Sequence, residues 1–205
     1  MAITATNDPD IALWRLARAG VDDLLGLIHA GDWTRSTPCT EWNVRDVLNH
    51  LVGSNWRYVA LLQGGSGREF WRVRAEEKVL GDDPVVDWRL SADALDAAFL
   101  EPGAMERPVD FGLSTGRELL RGRVFDVTIH SWDLAQALGA GLTLDERLVA
   151  ACLTTPFAAI LARGEGMPAT EDHEQLAARP ARPLPKGPSD EERLLWLCGR
   201  KTSLG

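Results

Sequence analysis

Three stretches of this chain begin alike: Thr115-Gly-Arg-Glu118, Thr143-Leu-Asp-Glu146 and Ser189-Asp-Glu-Glu192 each set a hydroxyl three residues ahead of a glutamate. The hydroxyl and the carboxylate can satisfy, reciprocally, amides that a helix start leaves without partners. Each signature therefore predicts a helix downstream. The first covers residues 116–138 and is closed by Gly139, which tolerates positive φ. The second covers residues 143–163 and should kink at Pro156, whose ring removes a backbone donor. The third is short, residues 190–198.

Apolar periodicity extends the same reading toward the N-terminus. Trp14, Ala17, Val21, Leu24, Leu25 and Ile28 recur at helical spacing, which predicts a helix over residues 11–30 with Asp10 as N-cap and Gly31 as stop. Asn43 can cap a second helix in which Val44, Val47, Leu48, Leu51 and Val52 form one apolar face, running to Leu62 before Gly64-Gly-Ser-Gly67 breaks it. A third helix is expected over residues 86–100. Residues 68–87 and 164–188 read as loops, and residues 105–113, with Pro108, Gly112 and alternating Val109 and Phe111, as a short β-hairpin or extended excursion. The expectation is an all-α bundle. Residues 1–140 would form the bundle and residues 141–205 a helical extension packed on it, together one compact unit.

Charge narrows the partners. With 22 Lys+Arg against 30 Asp+Glu the formal net charge is -8, the wrong sign for a nucleic-acid footprint. No apolar run reaches the ~18 to 20 residues that a membrane span needs, and residues 1–10 lack the basic start and apolar segment of a signal peptide. Cys39, Cys152 and Cys198 are odd in number and far apart, which suits free thiols in a reducing compartment. A cytoplasmic protein acting on a small molecule is the expectation, with a homodimer as the assembly to consider. Most of the eight tryptophans read as core, with Trp42 and Trp132 as pocket candidates.

Chemistry concentrates at three side chains. Asp126 and His130 are four apart in a helical stretch and so share a face, and His50 lies at the edge of the apolar face of another helix. Converging, they would give a metal three protein ligands and one open position, the arrangement of a reactive centre. Imidazole with carboxylate suits Zn, Ni, Fe or Mn, and spacing does not choose among them. The competing reading makes both histidines hydrogen-bonded core residues. Asp133 shares the face of His130 and could orient its imidazole, or form a surface salt bridge. Asp46, four before His50, could do likewise or stabilise its helix start. Arg117, Arg121 and Arg123 are either solvated charge or anion-binding groups, Arg123 being the pocket candidate among them, and Cys39 could be a nucleophile or simply buried. No phosphate loop, Gly-x-Ser-x-Gly elbow or dinucleotide fingerprint is present.

Two segments carry a family resemblance: Thr37-Pro-Cys-Thr-Glu-Trp-Asn-Val-Arg-Asp-Val-Leu-Asn-His-Leu-Val52 and Phe125-Asp-Val-Thr-Ile-His-Ser-Trp-Asp-Leu-Ala135. They resemble the signature segments of the DinB-like superfamily, in the branch of mycothiol-dependent maleylpyruvate isomerase-like metal-binding proteins. The resemblance implies a four-helix bundle with a divalent metal, zinc or nickel, held by His50, Asp126 and His130. It also implies thiol S-transfer or thiol-dependent isomerisation with mycothiol or a related low-molecular-weight thiol, the alternative being a non-catalytic metal- or ligand-binding protein. This chain has Asp126 where the isomerase has a glutamate, which shifts the metal by roughly one C–C bond length.

Overall fold

A computed structural model of the chain describes residues 7–67, 69, 78–110, 115–162 and 189–200. It contains seven α-helices among these residues: α1 (Pro9–Leu25), α2 (Val44–Leu62), α3 (Pro84–Leu100), α4 (Gly116–Leu138), α5 (Glu146–Leu153), α6 (Pro156–Ala162) and α7 (Asp190–Leu197). No β-ladder occurs among the described residues, only an isolated antiparallel bridge between Ser36 and Asn43. The hairpin expected at 105–113 falls partly outside them, at 111–114, and the described part is turn and irregular backbone. The loop expected at 164–188 lies outside the described residues, and so does most of the stretch from 68 to 77.

Local chemistry sets the helix ends, in several places not as periodicity suggests. Asp8, not Asp10, caps α1: its carboxylate accepts the Asp10 amide at 2.9 Å, and Pro9 takes the position where a missing N–H costs nothing. The same helix stops at Leu25, before the expected Ala30, because Gly26 weakens the run and His29 and Asp32 then bond each other in a turn. Asn43 and Asp46 form a reciprocal capping box that opens α2. At α3 the Asp83-Pro84 pair starts the helix two residues earlier than expected. Thr115 with Glu118 opens α4, and Gly139, at φ 68°, closes it in the left-handed conformation. Thr143 does not cap α5; Asp145 does, through the Arg147 amide. Pro156 divides the predicted long helix outright into α5 and α6, since Thr154 and Thr155 bond back to carbonyls in the preceding turn.

Two helix pairs build the bundle. α1 packs along α4 and α2 along α3, and α2 against α4 and α1 against α3 close the ring. The last of these contacts is largely polar: Arg15 pairs with Asp96, Arg18 with Asp93, and the Trp88 indole donates to Asp22. Inside lie Ile11, Trp14, Leu48, Leu51, Trp88, Leu95, Phe99, Leu119 and Leu120, all fully buried. A second, smaller core joins Ile129 and Trp132 of α4 to Val149 and Cys152 of α5 and to Leu194 and Leu195 of α7. α4 is thus enclosed by α1, α2 and α5, and its polar residues Arg123, Thr128, His130 and Asp133 are buried. Buried polar groups are tolerated only when bonded, so the pairing of these residues is part of the fold.

Arg117 and Arg121 belong to the scaffold as well. Arg117 reaches Asp8 and Asp10 at 2.9 and 2.8 Å, and Arg121 reaches Asp10 at 3.1 Å, clamping the start of α1 to α4. Both arginines thus take a structural role, Arg121 keeping about half of its side chain in solvent. A close backbone approach lies nearby, where a Cβ on Gly116 would sit 2.1 Å from the Ala104 carbonyl oxygen. Gly116→Ala is therefore expected to lower stability by about 2 kcal/mol or more, read as a shift in urea midpoint; an unchanged midpoint would mean the α4 start is not so constrained.

Candidate metal centre

His50 lies seven residues, about two turns, after the N-cap Asn43 of α2 and is 8% exposed. From α4, Arg123, Asp126, His130 and Asp133 form one stripe at helical spacing, turned toward α2. The stripe meets His50 directly. His50 Nε2 lies 3.2 Å from each oxygen of Asp126, and His130 Nε2 lies 3.6 Å from Asp126 Oδ1. Metal–ligand bonds of about 2.0–2.1 Å put tetrahedral ligand atoms about 3.3–3.4 Å apart, so the separations of 3.2 and 3.6 Å bracket the spacing around a divalent ion. The donor set of two imidazoles and a carboxylate is one that zinc or nickel accepts.

Access and cover are also visible. The Asp126 side chain remains 27% exposed while both histidines are nearly enclosed, so the shared face opens to solvent on the aspartate side. Trp42 stands over the two imidazoles, its ring 4.9 Å from His50 and 5.7 Å from His130 between centroids. The loop before α2 holds it there. Thr37 bonds the Trp42 carbonyl through both its amide and its hydroxyl, Trp42 bonds back to Cys39, and Val44 to Arg35. Glu41, just before Trp42, sits at φ 77°, a conformation costing a non-glycine residue of order 1 kcal/mol that the surrounding bonds enforce.

Two arginines complete the charge pattern. Arg123 was a candidate pocket wall on sequence grounds; it is fully buried, and its guanidinium bonds Asp126 Oδ2, Asn55 and the Leu51 carbonyl. Asp133 is also fully buried: it accepts from His130 Nδ1 at 3.0 Å and takes Arg200 on both oxygens. Its two sequence readings merge, an orienting carboxylate that is at the same time in a salt bridge. With Nδ1–H donated to Asp133, the Nε2 lone pair of His130 points to Asp126. Burial works against ionisation of Asp126, but His50, His130 and Arg123 together overcome it and hold the carboxyl well below its ordinary range. Asp133 is likewise lowered, burial being offset by His130 and Arg200.

The remaining candidates are placed elsewhere. Asp46 is exposed, and its carboxylate accepts the Asn43 amide, the helix-start role. Trp132 packs in the second core. Cys39 is half-buried and can group with His130 and Asp133; Arg200 already occupies both oxygens of Asp133, whereas Asp126 Oδ1 faces only imidazoles, so the first group is the better cation site. Burial pushes the Cys152 and Cys198 thiols up to about 12. Arg200 is the residue that sequence reasoning missed, since it lies 67 residues from Asp133.

A depressed carboxyl contributes stability that is complete above its unfolded value, about 3.9 for aspartate, and lost as pH falls through its native value. Asp133→Asn leaves Arg200 buried without its anion and should cost about 3 kcal/mol at neutral pH. The gap between the two proteins in urea titrations should narrow as pH drops below about 4; a gap constant down to pH ~2 would contradict the charge assignment.

Two uncharacterised proteins of Mycobacterium tuberculosis, from strains CDC 1551 and H37Rv, are each 28% identical over 182 residues, spanning 86% of this chain and 90% of the relative. No solved structure gives a significant match. Residues 14–135 match the family described as the mycothiol maleylpyruvate isomerase N-terminal domain, a span holding all three convergent side chains and most of the bundle. The chain belongs to the mycothiol maleylpyruvate isomerase N-terminal domain family.

Proposed function

We propose that His50, Asp126 and His130 hold a divalent metal, zinc or nickel, and that the protein uses it in the chemistry of a low-molecular-weight thiol of the mycothiol type. The observation that carries this reading is the convergence of three donor atoms from two helices at 3.2 and 3.6 Å around Asp126 Oδ1. The family match adds the thiol. When bound, the metal supplies a Lewis-acid position that favours the thiolate over the thiol at neutral pH.

The chain's own residues would do the rest. Asp133 keeps His130 in the tautomer whose Nε2 is free to ligate. Trp42 shields the imidazoles from bulk water on one side, and the exposed edge of Asp126 leaves an entry for the thiol and a small electrophile. In the transfer variant the thiol loses its proton to solvent, its sulfur forms a bond to carbon, and the bond from that carbon to the leaving group breaks, the group departing with the electron pair. In the isomerase variant the sulfur adds to one carbon of a conjugated double bond, the resulting single bond rotates, and the C–S bond breaks to return the thiol and the other geometric isomer. No helix among the described residues is long and apolar enough to cross a membrane, which suits a small-molecule enzyme of this kind.

Metal analysis of protein purified without chelating resin should find about one equivalent, falling below ~0.2 in His50→Ala. Acidification should release it, because protons compete for imidazole and carboxylate. Incubation of the metal-loaded protein with thiol and either a maleyl-type acid or a chlorinated arene should consume thiol or convert the isomer. Metal-free wild-type protein would sink the centre. A full complement of metal with no turnover across the panel would leave a binding protein.

A further inference from the structure

Arg123 has no solvent contact, yet its guanidinium is engaged on three sides. Nε donates to Asn55 Oδ1 at 2.9 Å, Nη2 donates to the Leu51 carbonyl at 2.7 Å, and Nη1 donates to Asp126 Oδ2. Asn55 in turn donates through Nδ2 to Ser91 Oγ at 3.0 Å, and Ser91 donates to the Trp88 carbonyl at 2.9 Å. An unbroken chain of buried polar groups thus runs from α3 through α2 to the carboxylate on α4. It fixes the arginine plane, and the arginine fixes one oxygen of Asp126.

The two oxygens of Asp126 are not equivalent as a result. Both lie 3.2 Å from His50 Nε2, but Oδ2 is taken by Arg123, while Oδ1 also faces His130 at 3.6 Å. Resting on the metal-centre reading above, we propose that Arg123 is the positioning residue of that centre: it confines Asp126 to ligation through Oδ1 alone and cancels its charge, so that a dication there selects an anionic exogenous ligand. Two neutral imidazoles and a compensated carboxylate bring no net charge to the ion. A lone carboxylate would bring one negative charge and weaken any further anion by Coulomb repulsion in a site of low dielectric.

The charge argument separates this role from a merely structural one. Removing a structural residue loosens the ligands, so metal and anion affinities fall together. Removing the compensating cation strengthens Asp126 as a ligand and weakens the anion. The test loads wild-type, Arg123→Lys and Arg123→Met proteins with Co2+ and titrates each with azide, following the visible spectrum. Metal affinity is measured by competition with a chelator. Arg123→Met should hold Co2+ at least as tightly as wild type, with an azide Kd raised about tenfold or more; Arg123→Lys, which keeps the charge, should restore most of the azide affinity. An unchanged azide Kd in metal-loaded Arg123→Met, or a parallel loss of both affinities, would overturn the proposal.

Should Arg123→Met not fold, a crystal structure of wild-type protein soaked with Co2+ decides the same question. Oδ1 alone on the metal, with Arg123 still on Oδ2, supports it; both oxygens on the metal and Arg123 displaced refute it. Wild-type protein that takes up no Co2+ refutes the metal-centre reading itself, and this proposal with it, a failure distinguishable because it appears before any substitution is made.

Discussion

Two arginines, Arg123 within α4 and Arg200 beyond α7, sit with little or no water, and each is matched by an aspartate of α4. Taking a charge out of water costs several kcal/mol unless a well-placed partner compensates. The match therefore constrains the elements that these two arginines bond to α4. Arg123 couples α4 to α2 and, through Asn55, to α3; Arg200 couples it to the residues that follow α7. The apolar core gives the bundle its bulk, but these pairs set the register in which α2 and α4 face each other. The site inherits that register, because His50 meets Asp126 only if the two helices are aligned to within a fraction of a turn.

His130 shows how little freedom is left. One ring nitrogen is held by Asp133 and the other faces Asp126, with Trp42 stacked at a tilt beside it. A side chain gripped this way has one rotamer and one tautomer, which is what preorganisation of a ligand requires. Asp126 needs no longer side chain to reach its partners. The carboxylate already contacts both imidazoles, as the closeness of α2 and α4 allows.

Much of this was legible in the chain itself. The caps Asn43, Thr115, Gly139 and Ser189 mark real helix ends, because capping is local chemistry that needs nothing from the rest of the fold. Misjudged ends have equally local causes: Asp8-Pro9 outcompetes Asp10, and Asp145 sits two residues past a Thr143 that matches the pattern but caps nothing. The pairing of Asp126 with His130 could be read from a spacing of four, and His50 from an apolar face together with the family resemblance. Arg200 left no such trace, since its partner is remote and an arginine beyond the last helix looks like any surface charge. Nor could sequence show that Arg123 points inward while Arg117 and Arg121 clamp α1, for that depends on which neighbour covers each face of α4.

The second core has a bearing on the cellular setting of such a protein. Cys152 and Cys198 sit in it among Ile129, Trp132, Leu194 and Leu195, where burial suppresses the thiolate form. Disulfide exchange proceeds through thiolate and needs an exposed sulfur. In a milieu rich in small thiols and their oxidised partners, these two sulfurs are insulated from mixed-disulfide formation by the packing that seats the C-terminal helices. Only Cys39, near the mouth of the bundle, stays within reach of such traffic.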